Sequence, residues 1–190
     1  MTIFAFLVFF ILLLDILIIK NPLLEKAKVN KKWYVITITI ILIIVAGCRS
    51  IAVGIDTVRY LHRFTDAVSI KLNIASLKVI EPGFLFLEML IGKIFGSYQM
   101  FLFVVAFIFV VSVSYIIYKY SEMPCLSYIL LIGFGFYSFS LSGLRQSIAL
   151  ALITISFIFA ARKKIWKYLF AILIAFSFHM SALIFLPFYW

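Results

Sequence analysis

Apolar residues run almost unbroken over 3–19, 33–48, 98–118, 125–141, 144–161 and 168–186, with polar stretches between the runs. A helix needs about 20 mainly apolar residues to cross a hydrocarbon core of about 30 Å. Within lipid it is also the structure that satisfies every backbone N–H and C=O inside one segment. The pattern therefore predicts an all-α integral membrane protein of about six transmembrane helices. A seventh run, 82–96, is too short and too charged to cross, because Glu88 and Lys93 interrupt it. It predicts a short re-entrant or interfacial helix opened by Pro82, with Glu88 and Lys93 facing protein or a wet cavity. Gly92 and Gly96 give it a GxxxG spacing that suits close helix packing.

Between the second run and the seventh, "GCRSIAVGIDTVRYLHRFTDAV" has a different rhythm. Val58, Leu61, Phe64 and Val68 recur at helical spacing behind Asp56, a good N-cap residue. Arg59, Arg63 and Asp66 would then share the opposite face. Two readings fit: an interfacial helix whose charges are solvated, or a polar lid over a site in the membrane.

Composition agrees with the pattern, since 66% of the 190 residues are hydrophobic and only 13% are charged. It predicts one multi-pass membrane domain over 1–190, with 49–81 as an outer loop. The net charge of +10 first suggests nucleic acid, but the basic residues cluster between apolar runs, where anionic headgroups explain them. Ten of the seventeen fall at Lys20, Lys26, Lys28, Lys31 and Lys32, at Lys119, and at Arg162, Lys163, Lys164 and Lys167. The positive-inside rule then sets those loops in the cytoplasm and the N-terminus outside. Trp33, Tyr34, Tyr115, Tyr118, Trp166 and Tyr168 mark the edges of the runs as aromatic anchors. The first run lacks a preceding basic residue and a following small-residue cleavage site, so it reads as a retained span. Cys48 and Cys125 fall at opposite ends of the spans and should not pair. No CxxC, HExxH, GxxxxGK[ST] or GxSxG pattern is present, so no metal or nucleotide site is expected and no cofactor is implied.

Two polar residues stand out against this background. In "SLSGLRQSIALAL", Ser142 is a natural N-cap for the fifth span, which places Arg145 in its first turn. A cation there opposes the helix dipole, and an anion would resolve the conflict. Free amides, the dipole and a planar guanidinium together suit a phosphate or pyrophosphate. The alternative is an arginine that snorkels to headgroups. Gln146 and Ser147 extend the polar patch. His179, in "AFSFHMSALIFLPF", lies about two turns inside the outer end of the sixth run, where ionisable groups usually face a cavity or a partner. The short connection between the last two runs puts Arg145 and His179 in the outer half of one hairpin.

The ordered set "SGLRQSIALALITISFIFAARKKIWKYLFAILIAFSFHMSALIFLPF", with "VGIDTVRY" and "EPGF" before it, resembles the EpsG family, the Wzy-like membrane proteins of exopolysaccharide and capsule clusters. Members of that family are longer, so the chain resembles their N-terminal part and is expected to be incomplete at its C-terminus. The resemblance implies residence in the bacterial cytoplasmic membrane and polymerisation, at its outer face, of oligosaccharide repeat units carried on polyprenyl pyrophosphate. The implied partners are that lipid-linked oligosaccharide, membrane lipids and other polysaccharide-assembly proteins, with no nucleic acid. Arg145 would grip the diphosphate and stabilise the leaving group. His179 would take the proton, with Asp56 as rival base. Gln146, Ser147, Arg49, Arg59 and Tyr60 would complete the substrate site. Two other classes stay open: a lipid-linked-sugar transporter or flippase, and a non-catalytic fragment or subunit. A transporter should carry charges through the inner half of its helices, where the sequence offers only Asp15.

Overall fold

The computed structural model describes residues 2–20, 27–69 and 81–189, with the side chains of 27–29 excepted. Among these residues there are helices and no strands. The chain is an all-α membrane protein. Among the described residues nine α-helices follow one another as α1 Thr2–Leu14, α2 Ala27–Gly47, α3 Thr57–Ser69, α4 Pro82–Phe95, α5 Tyr98–Tyr120, α6 Pro124–Gly133, α7 Phe136–Ser142, α8 Leu144–Ala161 and α9 Ile165–Phe178. A π-helical turn, Asp15–Ile19, extends α1, and a 3-10 helix, Met180–Tyr189, follows α9.

Four of these are long and apolar enough to cross a membrane: Thr2–Ile19, Asn30–Gly47, Tyr98–Tyr120 and Leu144–Ala161. The fourth predicted run is divided into α6 and α7, bent by 52° where Gly135 adopts a left-handed φ of 78°. Counted as one broken span, they bring the number to five. The sixth run, expected to cross as a single helix, does not. Helix α9 ends at His179, whose extended backbone (φ −159°, ψ 133°) reverses the chain. The 3-10 helix then returns along α9, so that the Tyr168 hydroxyl meets the Phe185 carbonyl and the Tyr168 and Tyr189 rings lie 5.4 Å apart. His179 is the tip of a hairpin, and Tyr189 is back beside the start of α9 rather than at the outer surface.

The spans show which faces meet protein and which meet lipid. Leu7, Ile11 and Asp15 are buried at i, i+4 spacing along the first span, while Ile3, Phe6, Phe9 and Leu13 are exposed. On α2 the inward stripe is Tyr34, Ile38, Leu42 and Ala46. Polar groups inside this core are paired: Tyr137 donates to the Leu42 carbonyl at 2.7 Å, and Tyr128 to the Ser114 hydroxyl at 2.8 Å. Such pairing is what makes a buried hydroxyl tolerable.

The two ends of the bundle differ. At one end Lys31 donates to the Ser121 carbonyl at 2.6 Å and lies over the Tyr118 ring, with Lys119 close by. At the other end the chain gathers residues 47–60, 81, 98, 141–146 and 179. Helices α3 and α4 lie there together, since both ends of α4 sit beside this face of the bundle. At 14 residues α4 is about 21 Å long, too short to cross. Its Phe84 packs into a cluster with Tyr60, Phe64, Tyr98 and Phe101. The buried face of α3 is Thr57, Tyr60, Phe64 and Ala67: of the predicted stripe Phe64 is buried and Leu61 half-buried, whereas Val58 and Val68 are exposed and Tyr60 and Ala67 take the inward places. Tyr60 takes the inward place because its hydroxyl finds a polar partner there, described below.

The two glycines of the GxxxG spacing do unrelated work. A Cβ on Gly92 would collide with Val68 of α3, whereas Gly96 ends α4 in the left-handed region with open space around it. Glu88 is fully buried and Arg63 donates to it at 3.1 Å, clamping α3 to α4. Lys93 is exposed in the last turn. Burial pushes the Glu88 carboxyl up to about 7, with Arg63 pulling the other way.

Candidate functional site

Helix α8 begins one residue later than the sequence suggests, with Gly143 in the capping position and no side-chain cap. Ser142 instead closes α7, and its hydroxyl accepts the Ile55 N–H at 3.3 Å. Arg145 is thus the second residue of α8, in the first turn, whose amides have no partner within the helix. The anion that the helix dipole calls for is supplied by the protein. Arg145 Nη1 pairs with Glu81 Oε2, and Arg145 Nε donates to the Tyr60 hydroxyl at 3.3 Å. The guanidinium also sits over the Tyr60 ring, 5.8 Å from its centre. Nη2 has no partner among the described residues, and the side chain is 30% exposed.

Glu81 occupies the residue before Pro82. It leaves the N-terminal amides of α4 uncapped and turns into the bundle, where it is 4% exposed. Its other oxygen, Oε1, lies 2.6 Å from His179 Nδ1. On the far side of the ring, His179 Nε2 lies 2.9 Å from Gln146 Nε2. Gln146, His179, Glu81, Arg145 and Tyr60 therefore form one hydrogen-bonded chain drawn from α8, the α9 tip, the start of α4 and α3. The approach of α4 to α9 that permits it depends on Gly83, since a Cβ there would strike the Ser177 side chain.

Of the residues expected at the site, Arg145, Gln146, His179 and Tyr60 meet in this chain. The others are placed elsewhere. Ser147 is fully buried and donates back to the Gly143 carbonyl at 2.9 Å. Arg49 is buried and spends its fork on carbonyls at two helix ends, Ala46 at 2.8 Å and Leu141 at 3.0 Å. There it complements two negative dipole ends, and burial draws its pKa below the ordinary value. Asp56 stands at the head of α3, where its carbonyl accepts the Tyr60 N–H at 3.0 Å. Among the described residues the Asp56 carboxylate and the exposed Arg59 guanidinium have no partner. Sequence reasoning missed Glu81 as a site residue. The available signal was a carboxylate before a helix-opening proline, inside the "EPGF" stretch already singled out.

Comparison with known proteins gives one positive result. Neither the curated proteins nor the solved structures contain a match to this chain. A model of the EpsG family matches residues 32–190, which takes in every member of the hydrogen-bonded chain. With that match extending over most of its length, the protein belongs to the EpsG family.

Proposed function

We propose that the protein polymerises oligosaccharide repeat units carried on polyprenyl pyrophosphate, at the outer face of the bacterial cytoplasmic membrane. Family membership supports a polysaccharide polymerase-like role. The observation that carries the finer reading is that one carboxylate, Glu81, joins Arg145 to His179. A guanidinium for a leaving diphosphate and an imidazole for an attacking hydroxyl thereby stand within one side chain's width of each other. Arg145 keeps Nη2 and an exposed edge for phosphate oxygens, next to the positive end of the α8 dipole.

In the reaction, a hydroxyl of one lipid-linked unit attacks the anomeric carbon of another. The bond from that carbon to the pyrophosphate oxygen breaks, and the hydroxyl proton passes to His179 Nε2. Polyprenyl diphosphate leaves against Arg145, where fixed positive charge favours the developing anion. His179 is a better base than Asp56 on position, because it shares the carboxylate of the arginine and Asp56 does not.

The test is His179→Gln in the full chain. At unchanged membrane abundance it should abolish polymer and leave single repeat units on the lipid carrier outside the membrane. General-base removal is worth on the order of 10²–10⁴ in rate, enough to erase long chains on a gel. Polymer of normal length would overturn the proposal. Repeat units retained at the cytoplasmic face would point to transport.

A further inference from the structure

The proposed reaction passes through His179 and Arg145 and gives Glu81 and Gln146 no step of their own. We infer that Glu81 is a positioning residue that fixes the proton of His179 on Nδ1, and that Gln146 holds the place of the acceptor hydroxyl on Nε2. This rests on the proposed function for its chemistry and on geometry for its assignment.

Two contacts agree on one tautomer. An amide nitrogen carries no lone pair to offer, so Gln146 Nε2, 2.9 Å from His179 Nε2, can only donate. His179 Nε2 is then the acceptor, and the ring proton belongs on Nδ1. On the other side, a carboxylate oxygen 2.6 Å from Nδ1 can only accept, which again puts the proton on Nδ1. A neutral imidazole held in this way presents its basic nitrogen to whatever displaces the Gln146 amide. A sugar hydroxyl is the right displacer, because it can donate to Nε2 as the amide does. On attack its proton moves to Nε2, and the resulting imidazolium lies against the Glu81 carboxylate. The proton later leaves to water, restoring the neutral ring.

The charged and titratable groups around His179 are few. Glu81 approaches from the start of α4 and Arg145 from α8, with Tyr60 of α3 behind the arginine. Glu81 touches both reacting partners' holders, so its loss frees the arginine as well as the imidazole. That makes loss of activity alone a poor test, and the tautomer is the better readout.

The chain contains two histidines, and His62 is exposed on α3. In the full chain carrying His62→Gln and ¹⁵N-labelled histidine, the remaining ring should show a protonated Nδ1 and an unprotonated Nε2. Glu81→Ala should abolish that preference and move the proton to Nε2, because the Gln146 amide is then free to turn its oxygen to Nε2 and accept, while Glu81→Asp should retain it in part. A protonated Nε2 in the parent, or an unchanged signature in Glu81→Ala, would overturn the assignment. Because the parent spectrum needs no variant at Glu81, a variant that fails to fold does not block the test. In polymerisation assays Glu81→Gln should lower kcat on the order of 10²-fold, the scale of a misplaced general base. Loss of polymer in His179→Gln with full turnover in Glu81→Gln would sink this inference alone. Full polymer in His179→Gln would sink the proposed reaction and leave the tautomer to stand or fall by its spectrum.

Discussion

Arg145 is an expensive residue for its position. It opposes the dipole of α8, in a protein where a leucine would have met no penalty, and the protein offsets it with a carboxylate that must itself be buried. A headgroup anchor would need neither Glu81 nor the Tyr60 hydroxyl. Geometry distinguishes the two roles, because guanidinium offers a planar fork and lysine a single point of charge. If Arg145 grips a diphosphate while Nε and Nη1 remain on Tyr60 and Glu81, Arg145→Lys should fail nearly as badly as Arg145→Ala. Polymer length on gels, at matched abundance, measures this, and full activity in the lysine variant would return Arg145 to an interfacial role. The arginine, the glutamine after it and the histidine were legible in sequence because each breaks an apolar run. Glu81 was not, since a carboxylate before a proline is ordinary at a helix start and only the fold shows that it turns inward.

Between elements, the site depends on how closely α4 can approach the tip of α9. Glu81 and His179 belong to different helices, and their contact requires Gly83 to lie against Ser177 with no Cβ between them. Gly83→Ala should push the two helices apart and cost about 1–3 kcal/mol, the usual scale of overpacking, with polymerisation falling more steeply than stability. Ser177→Ala in the same chain removes the oxygen that the new methyl would strike, and should recover part of both. Thermal unfolding in detergent and polymer yield give the two readouts; a Gly83→Ala chain with normal activity would show that this approach is not what sets the Glu81 contact. Sequence periodicity located α3 and α4 as short helices outside the spans, and it recognised that Glu88 needed a protein partner. It misplaced the inward face of α3 because apolarity alone ranks Val58 above Tyr60. Tyr60 is buried for its hydroxyl as well as its ring, and that hydroxyl has meaning only once Arg145 is beside it.

At the scale of the molecule, hydropathy found the spans and missed the reversal. Residues 168–186 are apolar throughout except for His179 and its neighbouring serines, so nothing in a hydropathy window distinguishes one crossing from a helix and its return. The lengths agree with a return: 14 residues of α9 rise about 21 Å, and 10 residues of 3-10 helix descend about 20 Å. If the basic loops face the cytoplasm, as the lysine distribution requires, the site end faces outward and Phe188 lies near the cytoplasmic edge beside Lys163. Single cysteines introduced into a Cys48→Ser, Cys125→Ala chain test both points with an impermeant thiol reagent. Ile55→Cys, at a position 95% exposed, should react in intact cells. Lys164→Cys and Phe188→Cys should react only in inverted vesicles. Reaction of Lys164→Cys but not Ile55→Cys in intact cells would put the site in the cytoplasm and remove the outer-face chemistry with it. Reaction of Phe188→Cys in intact cells, with Lys164→Cys shielded, would mean that the sixth run crosses after all. His179 would then sit within a continuous span and not at a turn, and its hold on Glu81 would need a different backbone to support it.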